Sequence, residues 1–228
     1  MKRIRLVIWI VVLAAAAVLL TLVGDGIRFS PEEHRVSVSY GFLMAALALV
    51  VGLAAVACCA VKANSDKAYK KLATTDLLTG LGNRYAFQEL LERVQGESLP
   101  QDLIVVYMDV DELKRINDRL GHGAGDEVLC AAAAAMKASF GAAGQCFRIG
   151  GDEFFAALRT DRDGLASMLA EFDRLTTAWR GQSAEGYSVS VGVAAAADHP
   201  DAPMETLIQI ADRRMYENKE SRTGGTPC

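Results

Sequence analysis

Two acidic side chains lie at positions where a metal ion and a phosphate group could be held. Asp109 comes directly after an unbroken apolar run, and Asp152 follows the glycines Gly150 and Gly151. Carboxylates held on rigid segments are the ligands that Mg²⁺ prefers, and a bare glycine backbone lets a ligand approach closely. Each carboxylate also has a simpler interpretation, because Asp109 could cap a helix and Asp152, with Glu153, could belong to a turn.

A glycine-rich segment between Asn117 and Asp126 could recognise a nucleotide base. Guanine presents adjacent N–H donors that a carboxylate accepts as a pair, and acceptors that an asparagine amide can meet. Adenine lacks that donor pair, so Asp126 would reject it. Lys114 and Lys219 are cations suited to phosphate oxygens. Taken singly, these residues could equally be a helix cap or solvated faces of amphipathic helices.

These residues must be positioned by a domain that contains both strands and helices. Apolar runs predict four strands, over residues 103–108, 146–149, 154–158 and 187–194, and the glycines at 150–151 are typical of a β-hairpin. Amphipathic patterns predict five helices, over residues 85–94, 112–120, 126–140, 165–179 and from 203 onward, with 122–125 as a loop. This order predicts an α+β domain with a mixed or antiparallel sheet packed against helices.

The N-terminal quarter of the chain has a different composition. Of 24 Lys and Arg only five, and of 28 Asp and Glu only three, fall within residues 1–61, which leaves +2 there and −6 on the remainder. Two apolar runs, 6–23 and 41–61, have the roughly 20 residues that a helix needs to cross a bilayer. A pair of buried core helices, or a cleaved signal peptide for the first run, are the alternatives.

Flanking charges predict how these two helices are oriented. Basic residues precede the first run and follow the second, at Lys2, Arg3, Arg5, Lys62, Lys67, Lys70 and Lys71. The excess of Lys and Arg on the cytoplasmic side of membrane helices predicts a multi-pass protein of the inner membrane with both termini cytoplasmic. Residues 62–73 contain no glycine or proline and predict a transmitter helix that leads into the domain.

Taken in order, the motifs resemble the GGDEF-domain family of diguanylate cyclases. They comprise DLLTGLGNR from Asp76, DVD from Asp109 with Lys114, ND from Asn117, GH from Gly121, GD from Gly125, RIGGDEF from Arg148, SVGV from Ser190, and AD from Ala211 with MY from Met215 and Lys219. The resemblance covers about residues 74–222. It implies a ferredoxin-like fold similar to the palm of nucleotidyl cyclases and polymerases, and the condensation of two GTP into cyclic di-GMP with release of pyrophosphate.

The resemblance also implies a role for each matching residue. It implies that Mg²⁺, for which Mn²⁺ could substitute, binds Asp109, Asp152 and the backbone carbonyl of Val110, and that Glu153 binds metal or helps to activate the attacking 3′-hydroxyl. It further implies that Asn117 and Asp126 recognise guanine and that Lys114 and Lys219 contact the triphosphate. Gly150 and Gly151 would let the substrate approach the backbone closely.

The same resemblance implies partners and shows departures. One domain holds one GTP in this family, so a homodimer is expected. The lipid bilayer and an unidentified membrane or sensor protein are the other expected partners. The net charge of −4 argues against binding to nucleic-acid polymers.

The chain also departs from the family pattern. Gly141 and Gly144 stand where many members carry an Arg-x-x-Asp motif that binds product and inhibits. A phosphate-binding arginine is expected four residues after Lys219, where Thr223 stands beside Arg222; His122 is interpreted as structural.

The predicted organisation is a membrane anchor over 1–61, a transmitter helix over 62–73, a catalytic domain over 74–222 and a flexible tail over 223–228. Two other functions stay open. One is a non-catalytic nucleotide-binding module that signals through dimerisation. The other is a related cyclase that makes a mixed or adenine-containing dinucleotide, against which Asp126 argues.

Overall fold

A computed structural model describes residues 28–30, 35–37 and 40–223 of the chain. Contacts between Cα atoms divide the chain into two compact units, Met1–Lys70 and Lys71–Cys228. The first predicted membrane span, 6–23, with its basic flank at Lys2, Arg3 and Arg5, lies outside the described residues. Residues 224–228 of the predicted tail lie outside them as well.

The first unit contains a short hairpin and most of a long helix. Strands β1 (Arg28–Ser30) and β2 (Arg35–Ser37) pair antiparallel, and helix α1 runs over Tyr40–Thr74. The hairpin was not predicted, because strands of three residues are too short to show a periodicity. Within α1, Met44–Ala63 has a mean hydropathy of 2.6 and is not buried by other described residues, so by length and composition this helix could cross a membrane.

The second unit is an α+β domain, as the sequence predicts. Its strands are β3 (Leu103–Val110), β4 (Gly144–Arg148), β5 (Glu153–Arg159) and β6 (Val189–Ala195). Its helices are α2 (Arg84–Val94), α3 (Leu113–Leu120), α4 (His122–Phe140), α5 (Arg162–Ala178) and α6 (Met204–Thr223). The strands form one sheet in the order β4-β5-β3-β6, and every neighbouring pair in it is antiparallel.

Helices cover both faces of this sheet. Side chains of α4 and α5, such as Met136 and Phe172, pack with Val106 on one face, whereas Leu207 of α6 packs with Val105 on the other. All eight residues of the central strand β3 are buried. A strand covered on both faces has no polar side to alternate with its apolar one, which explains the continuous apolar run in the sequence. The predicted flanked sheet is therefore confirmed.

Several predicted boundaries were wrong, among them the start of β4, which is Gly144 rather than 146, and the start of α5, which is Arg162 rather than 165. Strand β3 continues past residue 108 to Val110, because Asp109 is paired on both sides, with Glu153 of β5 and Ser190 of β6. Strand β6 begins at Val189 rather than at 187, since its pairing with β3 starts there. Helix α4 begins at His122, so the predicted loop over 122–125 does not exist.

A single glycine replaces that predicted loop. Gly121 has φ +85°, a conformation that residues with side chains rarely adopt, and its N–H donates to the carbonyl oxygen of Asn117 at 2.8 Å. The chain reverses at this one residue, and the next helix begins at once. Consequently Asp126 lies within α4 rather than at its N-cap.

Candidate functional site

The predicted acidic residues meet at one end of the central strands. Asp109, near the end of β3, lies opposite Glu153 at the start of β5 in the antiparallel register. The N–H of Val110 donates to the carbonyl oxygen of Asp152 at 3.0 Å, so the tip of the β4–β5 hairpin is tied to the end of β3. The structure thus brings Asp109, Val110, Asp152 and Glu153 together.

Lys219 of α6 joins this group from the far end of the sequence. Its Nζ lies 2.6 Å from Oδ1 of Asp109, which is largely buried, whereas the side chain of Lys219 is 33% exposed. Burial, with the nearby charges of Asp152 and Asp111, raises the pKa of Asp109 despite the hydrogen bond from Lys219. Burial alone would lower the pKa of Lys219, but the hydrogen bond to Asp109 and the charge of Asp109 raise the pKa of the ammonium above its ordinary value. Lys219 therefore remains a cation at this site.

Glu153, the fourth residue of the GGDEF run, is oriented by its neighbours. The hydroxyl of Tyr107 donates to its Oε1 at 3.2 Å, and burial together with the charge of Glu153 raises the pKa of Tyr107, so the hydroxyl keeps its proton. A Cβ atom at Gly150 would overlap the Glu153 carboxylate, whereas one at Gly151 would meet nothing within 4 Å. Gly150 therefore leaves room for the carboxylate, and Gly151 leaves open space above the hairpin.

Arg148 anchors the tip of this hairpin, a role that the sequence did not reveal. Its Nη2 and Nε donate to the carbonyl oxygen of Gly151 at 2.7 and 3.2 Å, and its Nη1 lies 3.3 Å from Oδ1 of Asp76. Asp76 in turn accepts hydrogen bonds from the backbone N–H and the hydroxyl of Thr79. The turn that begins at Asp76 thus holds the arginine that holds the glycine-rich tip.

Asp111 connects the other side of the site, and it was also missed as a structural residue. It is buried, and its two carboxylate oxygens accept hydrogen bonds of 2.6 Å from the hydroxyls of Ser188 and Ser190. Its N–H donates to the carbonyl oxygen of Ser188 at 3.0 Å. Through these bonds Asp111, two residues after Asp109, connects the segment after β3 to the start of β6. The signal that could have found it is the acidic residue two positions after Asp109 combined with the two serines.

The predicted base-recognition residues lie at the junction of α3 and α4. A Cβ atom at Gly125 would overlap Oδ1 of Asn117, so the asparagine side chain lies directly against this glycine. Oδ1 of Asn117 is buried and has no hydrogen-bond partner among the described residues. Asp126, the residue after Gly125, is exposed. The structure therefore brings Asn117 and Asp126 into one region, with an unused acceptor between the helices.

Lys114 makes no contact with Lys219, the other predicted phosphate ligand, in the described part of the chain. Lys114 is exposed on α3, and within the described part of the chain it makes no hydrogen bond or ion pair. His122 is exposed at the first position of α4. Among the described residues, neither side chain forms a hydrogen bond or ion pair with Asp109.

The donors at the strand ends match a hard divalent cation in kind. Asp109, Asp152 and the Val110 carbonyl are oxygen ligands, and the raised pKa of Asp109 indicates that Lys219 does not offset the cost of burying this negative group. In the described part of the chain, no three His, Cys, Asp or Glu side chains are already arranged around a common point. A cation here would be held by Asp109, Asp152 and the Val110 carbonyl oxygen beside the ammonium of Lys219.

Comparison with known proteins decides the family. The family model described as "Diguanylate cyclase, GGDEF domain" matches residues 73–224, two thirds of the chain. This chain belongs to the GGDEF-domain family. The resemblance stated from the motifs is thereby confirmed for the domain, whereas the two membrane helices predicted before it are not tested by this match.

Two curated relatives match part of this chain. The diguanylate cyclase DgcS from Shewanella oneidensis is 33% identical over 153 residues, 65% of this chain and 50% of that protein. The cyclic di-GMP phosphodiesterase PdeR from Escherichia coli is 35% identical over 156 residues, 67% of this chain and 23% of that protein. This chain thus spans half or less of the length of these two relatives.

A solved structure shows the same fold. The coiled coil and GGDEF domain of DgcB from Caulobacter crescentus, crystallised in complex with c-di-GMP, has a TM-score of 0.62 and 25% sequence identity. The match covers 77% of this chain and 95% of that one. The palm-like GGDEF fold, with an antiparallel sheet flanked by helices, is therefore shared with a domain that was crystallised with a cyclic dinucleotide.

Proposed function

We propose that this chain is a diguanylate cyclase, which condenses two GTP molecules into cyclic di-GMP and two pyrophosphates. The observation that carries the proposal is the meeting of Asp109, Glu153 and Lys219 at one end of the sheet in a GGDEF domain. In each half-reaction a 3′-hydroxyl attacks the α-phosphorus of the other GTP and breaks its bond to the β-phosphate. The named cyclase DgcS among the relatives supports this reaction.

The acidic residues and Lys219 would have different roles in binding the triphosphate. Asp109, Asp152 and the Val110 carbonyl would hold Mg²⁺, or Mn²⁺ in its place, which when bound stabilises negative charge on the phosphates and lowers the pKa of the hydroxyl. Lys219 would contact a phosphate oxygen as a point charge, with exposed Lys114 joining it from α3. Glu153, oriented by Tyr107, would accept the proton of the attacking hydroxyl or bind metal.

Guanine would be read at the α3–α4 junction. The buried Oδ1 of Asn117 has no partner among the described residues, and Asp126 offers two acceptor oxygens one residue beyond the adjacent Gly125. Two adjacent N–H donors on guanine match such acceptors, and adenine cannot supply both. GTP is therefore proposed over ATP as the substrate.

A homodimer would complete the reaction at the cytoplasmic face of the membrane. Each domain would present one GTP, so that two sites facing each other close the symmetric product. The apolar window Met44–Ala63 and the basic residues that follow it support an anchor with the catalytic domain, 74–222, in the cytoplasm. Residues 62–73 would transmit a signal from the membrane or from a sensor partner to the domain.

One experiment separates these proposals. The full chain, purified in detergent micelles, is incubated with GTP, ATP and Mg²⁺, and its products are identified by mass spectrometry. We expect cyclic di-GMP alone, and a loss of at least about 100-fold in rate for Glu153→Gln, as for removal of a proton acceptor or charged ligand. The exposed residue Glu92 of α2 supplies the control, because Glu92→Gln removes a carboxylate far along the chain from the site.

The outcomes that would contradict the proposal are distinct. A mixed dinucleotide would indicate a different cyclase. Equal product from Glu153→Gln and wild type would remove the catalytic role of Glu153. No cyclic dinucleotide at any protein concentration would favour the second candidate, a non-catalytic GGDEF module, which the match to part of the phosphodiesterase PdeR also supports.

A further inference from the structure

Strand β6 is an edge of the sheet whose outer side is not paired with another described strand. It pairs with β3 alone, in the order β4-β5-β3-β6. A cavity of about 290 Å³, lined by residues of α5, β6 and α6, lies beside this strand. Backbone N–H and C=O groups on such an edge need other partners, because unpaired backbone groups are costly when they are shielded from water.

Three side chains of α6 supply those partners. Arg214 Nη1 donates to the carbonyl oxygen of Val193 at 2.6 Å, and Arg222 Nη1 donates to that of Val189 at 2.9 Å. Between them, Oδ1 of Asn218 accepts a hydrogen bond of 3.1 Å from the N–H of Val191. We call Arg214, Asn218 and Arg222 the edge ladder.

The spacing of the edge ladder matches the two elements that it joins. Its members are four residues apart on the helix, and their backbone partners are two residues apart on the strand. Four helical residues rise about 6 Å and two strand residues about 6.7 Å, so three successive contacts can form together. A shift of the helix by one residue would break all three, and the edge ladder therefore defines the register of α6 on β6.

Lys219 follows Asn218 directly and depends on that register. Its ammonium lies 2.6 Å from Asp109, which itself lies opposite Ser190 of β6. Displacing α6 along β6 by one residue moves this ammonium by more than a hydrogen bond tolerates. The chain thus contains a physical connection from the sheet edge to the acidic centre of the site.

We propose that Arg214, Asn218 and Arg222 are positioning residues, which hold Lys219 at Asp109 by setting the register of α6 on β6. This gives Arg222 a role as a backbone ligand of β6 instead of the phosphate contact expected near this position. The consequence for catalysis rests on the proposed cyclase function. The consequence for the contact between Lys219 and Asp109 does not.

The contact is tested without nucleotide by carbodiimide cross-linking of the full chain in detergent micelles. A carbodiimide condenses a carboxylate and an amine that touch into an amide and takes up the water released as a urea. We expect a joined Asp109–Lys219 peptide by mass spectrometry in the wild type, and a severalfold lower yield in Asn218→Ala and Arg222→Ala. Arg222→Lys keeps a donor for Val189 and should restore the wild-type yield.

Arg213 provides the matched control on the same helix. It is exposed and lies 3.9 Å from Glu217, outside the edge ladder, so Arg213→Ala should cross-link as the wild type does. Wild-type yield in both ladder variants would overturn the proposal, as would an equal loss in Arg213→Ala or no cross-link in the wild type. If the alanine variants do not fold, Arg222→Lys decides, because a yield well below wild type would then contradict the proposal.

The catalytic consequence is read from GTP kinetics. We expect Arg222→Ala to raise KM for GTP by about tenfold through a displaced phosphate contact. In a Lys219→Met background the same substitution should have no further effect on KM, whereas a general loss of structure would remain additive. A wild type that makes no cyclic di-GMP would refute the proposed function alone, since the cross-link still decides the edge ladder.

Discussion

Gly125 shows how one missing side chain can define a binding group. The backbone of α4 passes so close to Asn117 that any Cβ at this position would overlap Oδ1, the buried acceptor that has no partner among the described residues. A buried acceptor without a partner costs free energy in the empty protein. That cost is recovered if a ligand N–H donates to it, which is the role proposed for guanine.

The substitution Gly125→Ala should therefore weaken GTP binding selectively. Displacing Asn117 removes about one hydrogen bond, so we expect KM for GTP to rise about fivefold with a smaller change in kcat. Steady-state kinetics of the full chain measure both constants. Gly123→Ala is the matched control in the same helix, because a Cβ there meets nothing within 4 Å. An equal effect of the two substitutions would argue against a specific role for Asn117.

Asp76 provides a second prediction for a single residue, this time on stability. Although burial alone would raise it, hydrogen bonds from Thr79 and the charge of Arg148 hold the pKa of Asp76 below its ordinary value of 3.8. A lowered folded-state pKa contributes stability that is present above the unfolded pKa and is lost as the pH falls through the folded one. Asp76→Asn should thus lower the free energy of unfolding at pH 7 by about 1–3 kcal/mol.

The pH dependence distinguishes this network from simple packing. Urea unfolding, followed by tryptophan fluorescence at several pH values from 7 down to about 3.5, should show the difference between wild type and Asp76→Asn shrinking only near the acid end. A difference that stays constant over this range would mean that the charge of Asp76 does not contribute. Asp163→Asn, at an exposed position in α5, is the control and should change little.

At the scale of elements, the packing of α6 on β6 positions Lys219. Gly192 of β6 lies under the helix, where a Cβ would overlap the carbonyl oxygen of Ala211 and the N–H of Met215. Both are backbone atoms, so they cannot rotate away as a side chain would. The alternation of large and small residues in this strand predicts such a close neighbour, and the structure identifies that neighbour as α6.

Gly192→Ala should therefore separate helix and strand. We expect a loss of about 2–3 kcal/mol in the free energy of unfolding, as for overpacking against a rigid neighbour. Chemical denaturation of the variant and the wild type measures this difference in the free energy of unfolding. Gly186→Ala is the comparison, because a Cβ there meets nothing within 4 Å and the position is exposed. If both variants unfold like the wild type, the close approach of α6 to β6 is incorrect.

At the scale of the whole molecule, control by product is expected to differ from that of many family members. Gly141 and Gly144 stand at the positions of the product-binding Arg and Asp. A Cβ at Gly144 would overlap the carbonyl oxygen of Ala157, and one at Gly141 the carbonyl oxygen of Lys137. The backbone thus excludes side chains at both positions, and no charged pair can form there.

Cyclic di-GMP should therefore inhibit only by occupying the GTP site. Initial rates measured over a grid of GTP and cyclic di-GMP concentrations should show purely competitive inhibition. A non-competitive component would reveal a second product site and contradict this prediction. The measurement uses the full chain in detergent micelles, as in the product assay.

Local information in the sequence was enough for the order of strands and helices in the second unit and for candidate residues such as Asp109 and Asp152, but not for the β1–β2 hairpin. The continuous apolar run before Asp109, the two glycines before Asp152 and the amphipathic helices each predict their element from neighbouring residues alone. The motif order then indicated the family, which the comparison confirmed. Residue types with specific spacing carry this information because hydrophobic periodicity and turn chemistry act over a few residues.

Only the tertiary structure decided which distant residues touch. The contact of Lys219 with Asp109, the anchoring of Gly151 by Arg148 and the edge ladder from Arg214 to Arg222 join residues on different elements. The sequence determined the acidic, glycine-rich and basic groups of this protein and the helices and strands that carry them. Their partners depend on how helices pack on the sheet, and that packing is a property of the whole core rather than of any short segment.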